Sequence, residues 1–256
     1  LSRVHACKVG MHDTCFDHII DLIDELQRMN VADFQQDGQH VCEGRLVCAK
    51  LQNTLKWQLY HASRCIINAA LLDKQMVPSL LYTSKVPMHT FLDGIAAAFE
   101  SHPNRIPLLT MEVQGRENMP THLVVFQAVL HFAIRELMSN CVKFNSQEGK
   151  VVLRASVRSS QSKSPAHPLL LRFEVIDAGE GLLEGDTDRK KLFTRFGTIG
   201  ERRSCTGLGL GLWSIKELLR HVGVGGRCGW KKVKRSKNRT RLVCFWFQIP
   251  CSIYEE

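Results

Sequence analysis

Phe16, Ile19, Ile20, Ile23 and Leu26 recur at helical spacing across residues 12–30, with Asp17, Asp21, Asp24 and Glu25 on the other side. The stretch Asn30 to Gly44, carrying Gln35, Gln36, Asp37, Gly38 and Gln39, has no period and reads as a loop. A second helix is predicted from Arg45 to Leu72, with a stripe of Leu51, Leu55, Leu59, Ala62, Ile66 and Ala70. Two long helices joined by a loop make a hairpin. Its stripe is too large for one partner, which predicts pairing with a second copy as a four-helix bundle. Val77-Pro78 ends the second helix, because a residue before proline is driven out of the α region.

The pattern then changes. Met88 to Phe99 reads as a helix, Ile106 to Val113 as a strand and Leu123 to Phe144 as one long helix. Lys150 to Val157 and Leu169 to Ile176 read as strands around a polar Ser159-to-Pro168 loop, and Leu242 to Ile249 as a final strand. Strands and helices mix here without strict alternation, which predicts an α+β sandwich. The boundary falls near Val77 to Thr90, giving a helical hairpin over residues 1–80 and a second domain over residues 81–256.

Composition narrows the picture. No apolar run approaches the roughly 20 residues that span a bilayer. The chain starts at Leu1-Ser2-Arg3-Val4 without a signal-like segment, and reads as a fragment whose full-length protein can carry membrane segments upstream. Ten cysteines stand singly, with no CxxC pair and no Cys/His cluster at zinc spacing, so reduced thiols and a cytoplasmic setting are expected. The net charge is +9, much of it in Arg227 to Arg241. That run reads as a solvated loop; nucleic acid is permitted by the charge but disfavoured as a partner.

Chemistry concentrates in three places. On the helix around Asn140, Glu136, Asn140 and Lys143 project together, opposite Ile134, Leu137, Met138, Cys141, Val142 and Phe144. An amide oxygen and a carboxylate are hard ligands suited to Mg²⁺, and an ammonium suits phosphate. A plain solvated helix face is the competing reading. Asp177 closes a strand, Phe173-Glu174-Val175-Ile176, before Ala178-Gly179-Glu180-Gly181. A buried carboxylate there needs a donor, such as a purine amine, unless it merely caps a turn. Gly207, Gly209 and Gly211 alternate with leucines and open a helix from Trp213 to His221, where backbone N–H groups can meet phosphate. The spacing is neither a P-loop nor a dinucleotide fingerprint.

In order, "RELMSNCVKF", "DAGEGL", "LFTRF" and "GLGLGLWSIKELL" resemble the four boxes of the ATP-binding domain of sensor histidine kinases, across roughly residues 120 to 250. That domain belongs to the wider superfamily of the Hsp90, gyrase and mismatch-repair ATPases. The hairpin, ending in "LLDKQM", resembles the dimerisation and phosphoacceptor region of the same kinases. The resemblance implies an α+β fold: the hairpin, then a two-layer ATP-binding sandwich with a mixed sheet. It implies ATP and Mg²⁺ as cofactors, with Asn140 on the metal, Lys143 on the phosphates and Asp177 on the adenine amine. Gly179 and Gly181 would allow the tight approach, and Phe193 to Thr206, including Phe196, would form a lid. Gly207, Leu208, Gly209, Leu210 and Gly211 would cradle phosphate.

Glu136 stands where these kinases often have Asn, as in water-activating ATPases of the superfamily, so hydrolysis is a rival activity. A scaffold without enzymatic activity is the third reading. The phosphoacceptor candidate is His12, followed by the acid Asp13, although Asp17 replaces the usual proline. His5 and His18 are alternatives. The family's partners would be a second copy through the hairpin, a response-regulator receiver domain and an upstream sensor domain.

Overall fold

The computed structural model describes residues 57, 59–73, 80–102, 104–106, 108–144, 149–160, 169–177, 191–197, 208–233 and 242–254. The chain divides into two units, Leu1–Ala69 and Ala70–Glu256. The predicted first helix, the loop after it and the start of the second helix lie outside the described residues. Residues 59–72 are helical. Trp57, Tyr60 and Ile67 are buried there and Ala62 is exposed. The apolar side is thus rotated from the predicted Leu59, Ala62 and Ile66 stripe toward an aromatic pair, Trp57 and Tyr60, whose rings meet edge to face at 5.6 Å.

The larger unit is built on a mixed sheet. Its strands are β1 (Ser84–Pro87), β2 (Leu109–Gln114), β3 (His122–Val125), β4 (Gly149–Ser159), β5 (Leu169–Asp177), β6 (Arg227–Val233) and β7 (Leu242–Ile253). The order is β1-β3-β7-β5-β4-β2, with β6 also on β7. The β2–β4 pair is parallel and the others are antiparallel. The helices are α1 (Met88–Glu100), α2 (Gln127–Phe144) and α3 (Gly211–His221).

Alternation along the strands sets the layers. Leu171, Phe173 and Val175 of β5 are fully buried, in register with Ile249, Phe247 and Phe245 of β7. Phe173 stacks on Phe247 at 5.5 Å and meets Phe91 of α1 at 6.1 Å, so this side of the sheet carries the helical layer. The other row of β5 carries Arg172 and Glu174 between Leu170 and Ile176. Glu174 accepts hydrogen bonds from Lys231 at 2.8 Å, Arg172 at 3.1 Å and Arg154 at 3.4 Å. Burial alone would push its carboxyl up; the bonds from Lys231 and Arg172 overcome that and hold it below the usual carboxylate range.

Four expectations are corrected. Leu123-Val124-Val125 is strand rather than the start of a helix; Leu123 and Val125 are buried and alternate with half-buried neighbours, so the local period is two. Arg227–Val233 is strand β6 rather than a solvated loop, and Lys231 in it is neutralised by Glu174. Strand β1 was not foreseen. β7 continues past Ile249 through Pro250, because Ile249 and Pro250 lie between the last partner in β6, opposite Gln248, and the first in β3, opposite Cys251. A proline is tolerated where one side of the strand has no ladder to complete.

Candidate functional site

Period two also places Asp177. It falls in line with Phe173 and Val175, so it faces the helical layer, and it is 8 % exposed. It meets Cys141 of α2, whose thiol donates to Asp177 Oδ2 at 3.4 Å. This contact brings the strand-end carboxylate against α2 one residue beyond Asn140. Burial first, and then the neighbouring carboxylate, push the Cys141 thiol well above the usual thiol range.

The polar strip of α2 is graded. Glu136 is 1 % exposed, Asn140 is half-buried and Lys143 is exposed. A plain solvated face is therefore excluded for Glu136. Helical projection put it opposite the apolar residues, but α2 packs on β5, β7 and α3 and is buried around most of its circumference. The strip climbs about 10 Å over seven residues at 1.5 Å each, from the interior to the surface. Phe144, expected on the apolar side, is 48 % exposed, and the Lys143 ammonium stands 5.2 Å from its ring.

The glycine-rich turn leads into α3, which begins at Gly211, two residues earlier than expected, and packs against α2. Leu210 is buried and its carbonyl accepts the Ser214 N–H at 2.8 Å, while Leu208 is exposed. Gly209 has φ +64°, in the left-handed region. A Cβ there would stand 2.8 Å from the Phe196 carbonyl carbon and 2.9 Å from the Gly197 oxygen. So Gly209 is not held bare by phosphate access alone; backbone of the 191–197 turn fills the space. That turn is closed by Thr194 N–H to Lys191 O and Gly197 N–H to Thr194 O, both at 3.0 Å. Phe193 is half-buried, and Phe196 is 54 % exposed with φ 59°. The Arg195 guanidinium lies 5.9 Å from the Trp213 ring of α3.

The structure therefore joins Asp177 to the Asn140 region, and the "LFTRF" turn to the glycine-rich turn. Gly179, Gly181, Gly207, most of the expected lid, His5, His12, Asp13 and His18 lie outside the described residues. The sequence reading missed Cys141, which it counted as an apolar residue. The available signal was a thiol donor one turn past the strip's first acid, in a site whose strand-end carboxylate needs a donor.

A mixed sheet with one helical layer, a buried strand-end aspartate and a glycine turn opening a helix define a nucleotide-binding type of α+β domain. Residues 127–253 match the family model of "Histidine kinase-, DNA gyrase B-, and HSP90-like ATPase". The segment is similar to this family's domain, and the match supports the histidine kinase catalytic core read from the motifs. Two solved structures resemble the chain in part. The mycobacterial sensor histidine kinase MprB has 19 % identity and a TM-score of 0.47, over 67 % of this chain and 99 % of that one. The Acinetobacter baumannii histidine kinase AdeS has 13 % identity and a TM-score of 0.46, over 92 % and 96 %. No curated protein matches the chain. Among the described residues no helix is long and apolar enough to cross a membrane.

Proposed function

We propose that the chain is an ATP-dependent protein histidine autokinase core of a phosphorelay. The observation that carries this reading is the Asp177 carboxylate set against α2 beside Asn140, within a segment similar to the ATPase family's domain. A carboxylate at that place can accept the adenine amine. Asn140 and Lys143, further toward the surface, suit the phosphates and their Mg²⁺, and the α3 N-terminus adds a positive dipole end.

The residues present fit Mg²⁺. Asn140 offers a hard amide oxygen next to the carboxylate Glu136, and among the described residues no group of three or more His, Cys, Asp and Glu makes a closed metal cage. That is the usual arrangement when one or two side chains and the nucleotide share the ion. When bound, Mg²⁺ would neutralise phosphate charge. Lys143 adds a point charge at the phosphates, and Asp177 fixes the base. His12 is the proposed nucleophile. A bond from its ring nitrogen to the γ-phosphorus forms as the bond to the β–γ bridging oxygen breaks, ADP leaves, and Asp13 takes the imidazole proton. The phosphoryl then passes to a receiver aspartate. A dimer through the hairpin of residues 1–80 and an upstream sensor belong to the same proposal, as does a cytoplasmic setting.

Incubation with Mg²⁺ and γ-labelled ATP tests it. Acid-labile, base-stable label on the protein, lost in His12→Gln, is expected; an unlabelled protein overturns it. The place of Glu136, a buried carboxylate one turn before Asn140, favours a second reading, hydrolysis by an ATP-driven switch in which that carboxylate orients water. Steady phosphate release without phosphoprotein, abolished in Glu136→Ala, selects that reading.

A further inference from the structure

We propose that the face of the sheet turned away from the helices is a docking surface for an acidic protein partner. The helical layer lies on the Phe173 side, and the rows that alternate with it point the other way. Register fixes what that open face carries, because residues opposite one another share a side. Arg154, Glu174, Trp246 and Gly229 stand in one row across β4, β5, β7 and β6, and Arg172, Gln248 and Arg227 in the next. Six cations share the face: Lys150, Arg154, Arg158, Arg172, Arg227 and Lys231. Two acids, Glu112 and Glu174, stand among them. Glu112 pairs with Lys150, and Glu174 is shared by Arg154, Arg172 and Lys231. The positive charge is therefore in excess. Lys150, Arg154, Arg158, Arg227 and Lys231 are exposed, so that excess faces solvent.

Charge and shape decide the occupant. The face crosses five strands, about 19 Å at about 4.8 Å per step, and runs about 27 Å from Lys150 to Arg158 at about 3.3 Å per residue. That footprint of about 500 Å² is smaller than the roughly 800 Å² per partner of a standard stable interface, so the contact is transient and driven by charge. A second copy of this chain would set like charge against like charge. Nucleic acid suits the face less well, because single strands are held by bases stacked on aromatic rings. Among the described residues Trp246 is the one aromatic side chain of this face, and its ring is already covered. The Arg172 guanidinium lies 3.9 Å from the ring centroid. A Cβ on Gly229 would stand 2.7 Å from Trp246 Cζ2, so the indole rests on bare backbone of β6. What the face offers outward is a flat array of separated cations, mostly arginine forks, which suits carboxylates on a protein surface.

The test uses the full chain and a fluorescent oligoglutamate peptide of about ten residues, which when extended spans the face, with binding read by anisotropy at low salt. Arg158→Glu combined with Arg227→Glu reverses two charges on the face, at residues that make no ion pair among the described residues. Lys232→Glu combined with Arg220→Glu makes the same change in net charge elsewhere, because Lys232 points to the other side of β6 and Arg220 is an exposed residue of α3. The face variant should bind the peptide about ten- to thirtyfold more weakly, and the control should stay within about twofold of the wild type. If the face variant does not fold, Arg158→Gln combined with Arg227→Gln replaces it, with a loss of about three- to fivefold expected. Equal losses in face variant and control would assign the binding to net charge alone and overturn the proposal, as would a wild type that does not bind the peptide. A DNA oligonucleotide of equal charge, single-stranded or duplex, that binds more tightly than the peptide and loses affinity only in the face variant would make this a nucleic-acid surface, which also overturns it. So would a wild-type dimer in sedimentation that the face variant dissolves.

Discussion

Gly209→Ala should do more damage than any strain argument alone allows. Residue 209 has φ +64°, where an alanine costs about 1–2 kcal/mol. The new Cβ would also meet the Phe196 carbonyl carbon at 2.8 Å, the Gly197 oxygen at 2.9 Å and the Gly197 nitrogen at 3.0 Å. These are backbone atoms, so no rotamer change relieves the contact, and forced overpacking adds about 1–3 kcal/mol. The sum is about 2–5 kcal/mol. Gly223 is the control: its φ is +92°, but nothing lies within 4 Å of its Cβ position, so Gly223→Ala carries strain only. In a domain of this size each kcal/mol moves the melting midpoint by about 2–4 °C, so the two variants should separate by several degrees in a thermal melt. The alternative response is local. If the 191–197 turn lifts off, the melts converge, and tryptic cleavage after Lys191 or Arg195 speeds up in Gly209→Ala. Coincident melts together with unchanged cleavage would refute the reasoning.

Two further predictions follow from the same fold. Gly94 is exposed within α1 with nothing near its Cβ position, so Gly94→Ala should stabilise the protein by about 0.5–1 kcal/mol; a lower denaturant midpoint would contradict this. The Glu174 carboxyl titrates below its ordinary range, so its stabilising contribution is complete above about pH 4.3 and is lost as the pH falls through the folded value. Glu174→Gln should therefore cost about 1–3 kcal/mol at pH 7, and that cost should shrink as the pH falls below about 4.3. A difference between the two melting curves that stays constant with pH would count against the ion cluster.

What the sequence disclosed were the residues whose chemistry clashes with their surroundings. Asp177 ends an apolar strand and Gly209 stands two residues before α3; neither type belongs there without a reason, and both belong to the proposed site. What stayed hidden depended on partners distant in the chain. Arg227 to Val233 looked like a solvated basic run because the acid that neutralises Lys231 is 57 residues away. Leu123 to Val125 merged with α2 because apolarity is continuous there and only the period changes, over four residues. Glu136 was assigned to a polar side because projection treats a helix as having one buried face, whereas α2 has neighbours on several. Cys141 was invisible as a polar group because a buried thiol counts as a small hydrophobe until an acceptor is placed beside it.

The two carboxylates of β5 show how fold and site share one determinant. Glu174 and Asp177 are three residues apart, so alternation sends them to opposite faces of the sheet. Glu174 meets three cations from its own strand and from β4 and β6, and a carboxylate surrounded by fixed charge is spent on holding strands together. Asp177 meets the Cys141 thiol on α2. A slip of one residue in β5 would exchange their surroundings: an acid would enter the Phe173–Phe247 layer, and Arg154 and Lys231 would face an apolar side chain. Both errors bury or orphan charge, so both oppose the slip. The register that gives the domain its core is thus the register that delivers Asp177 to α2, and the site cannot be lost by misalignment without the sheet being lost with it.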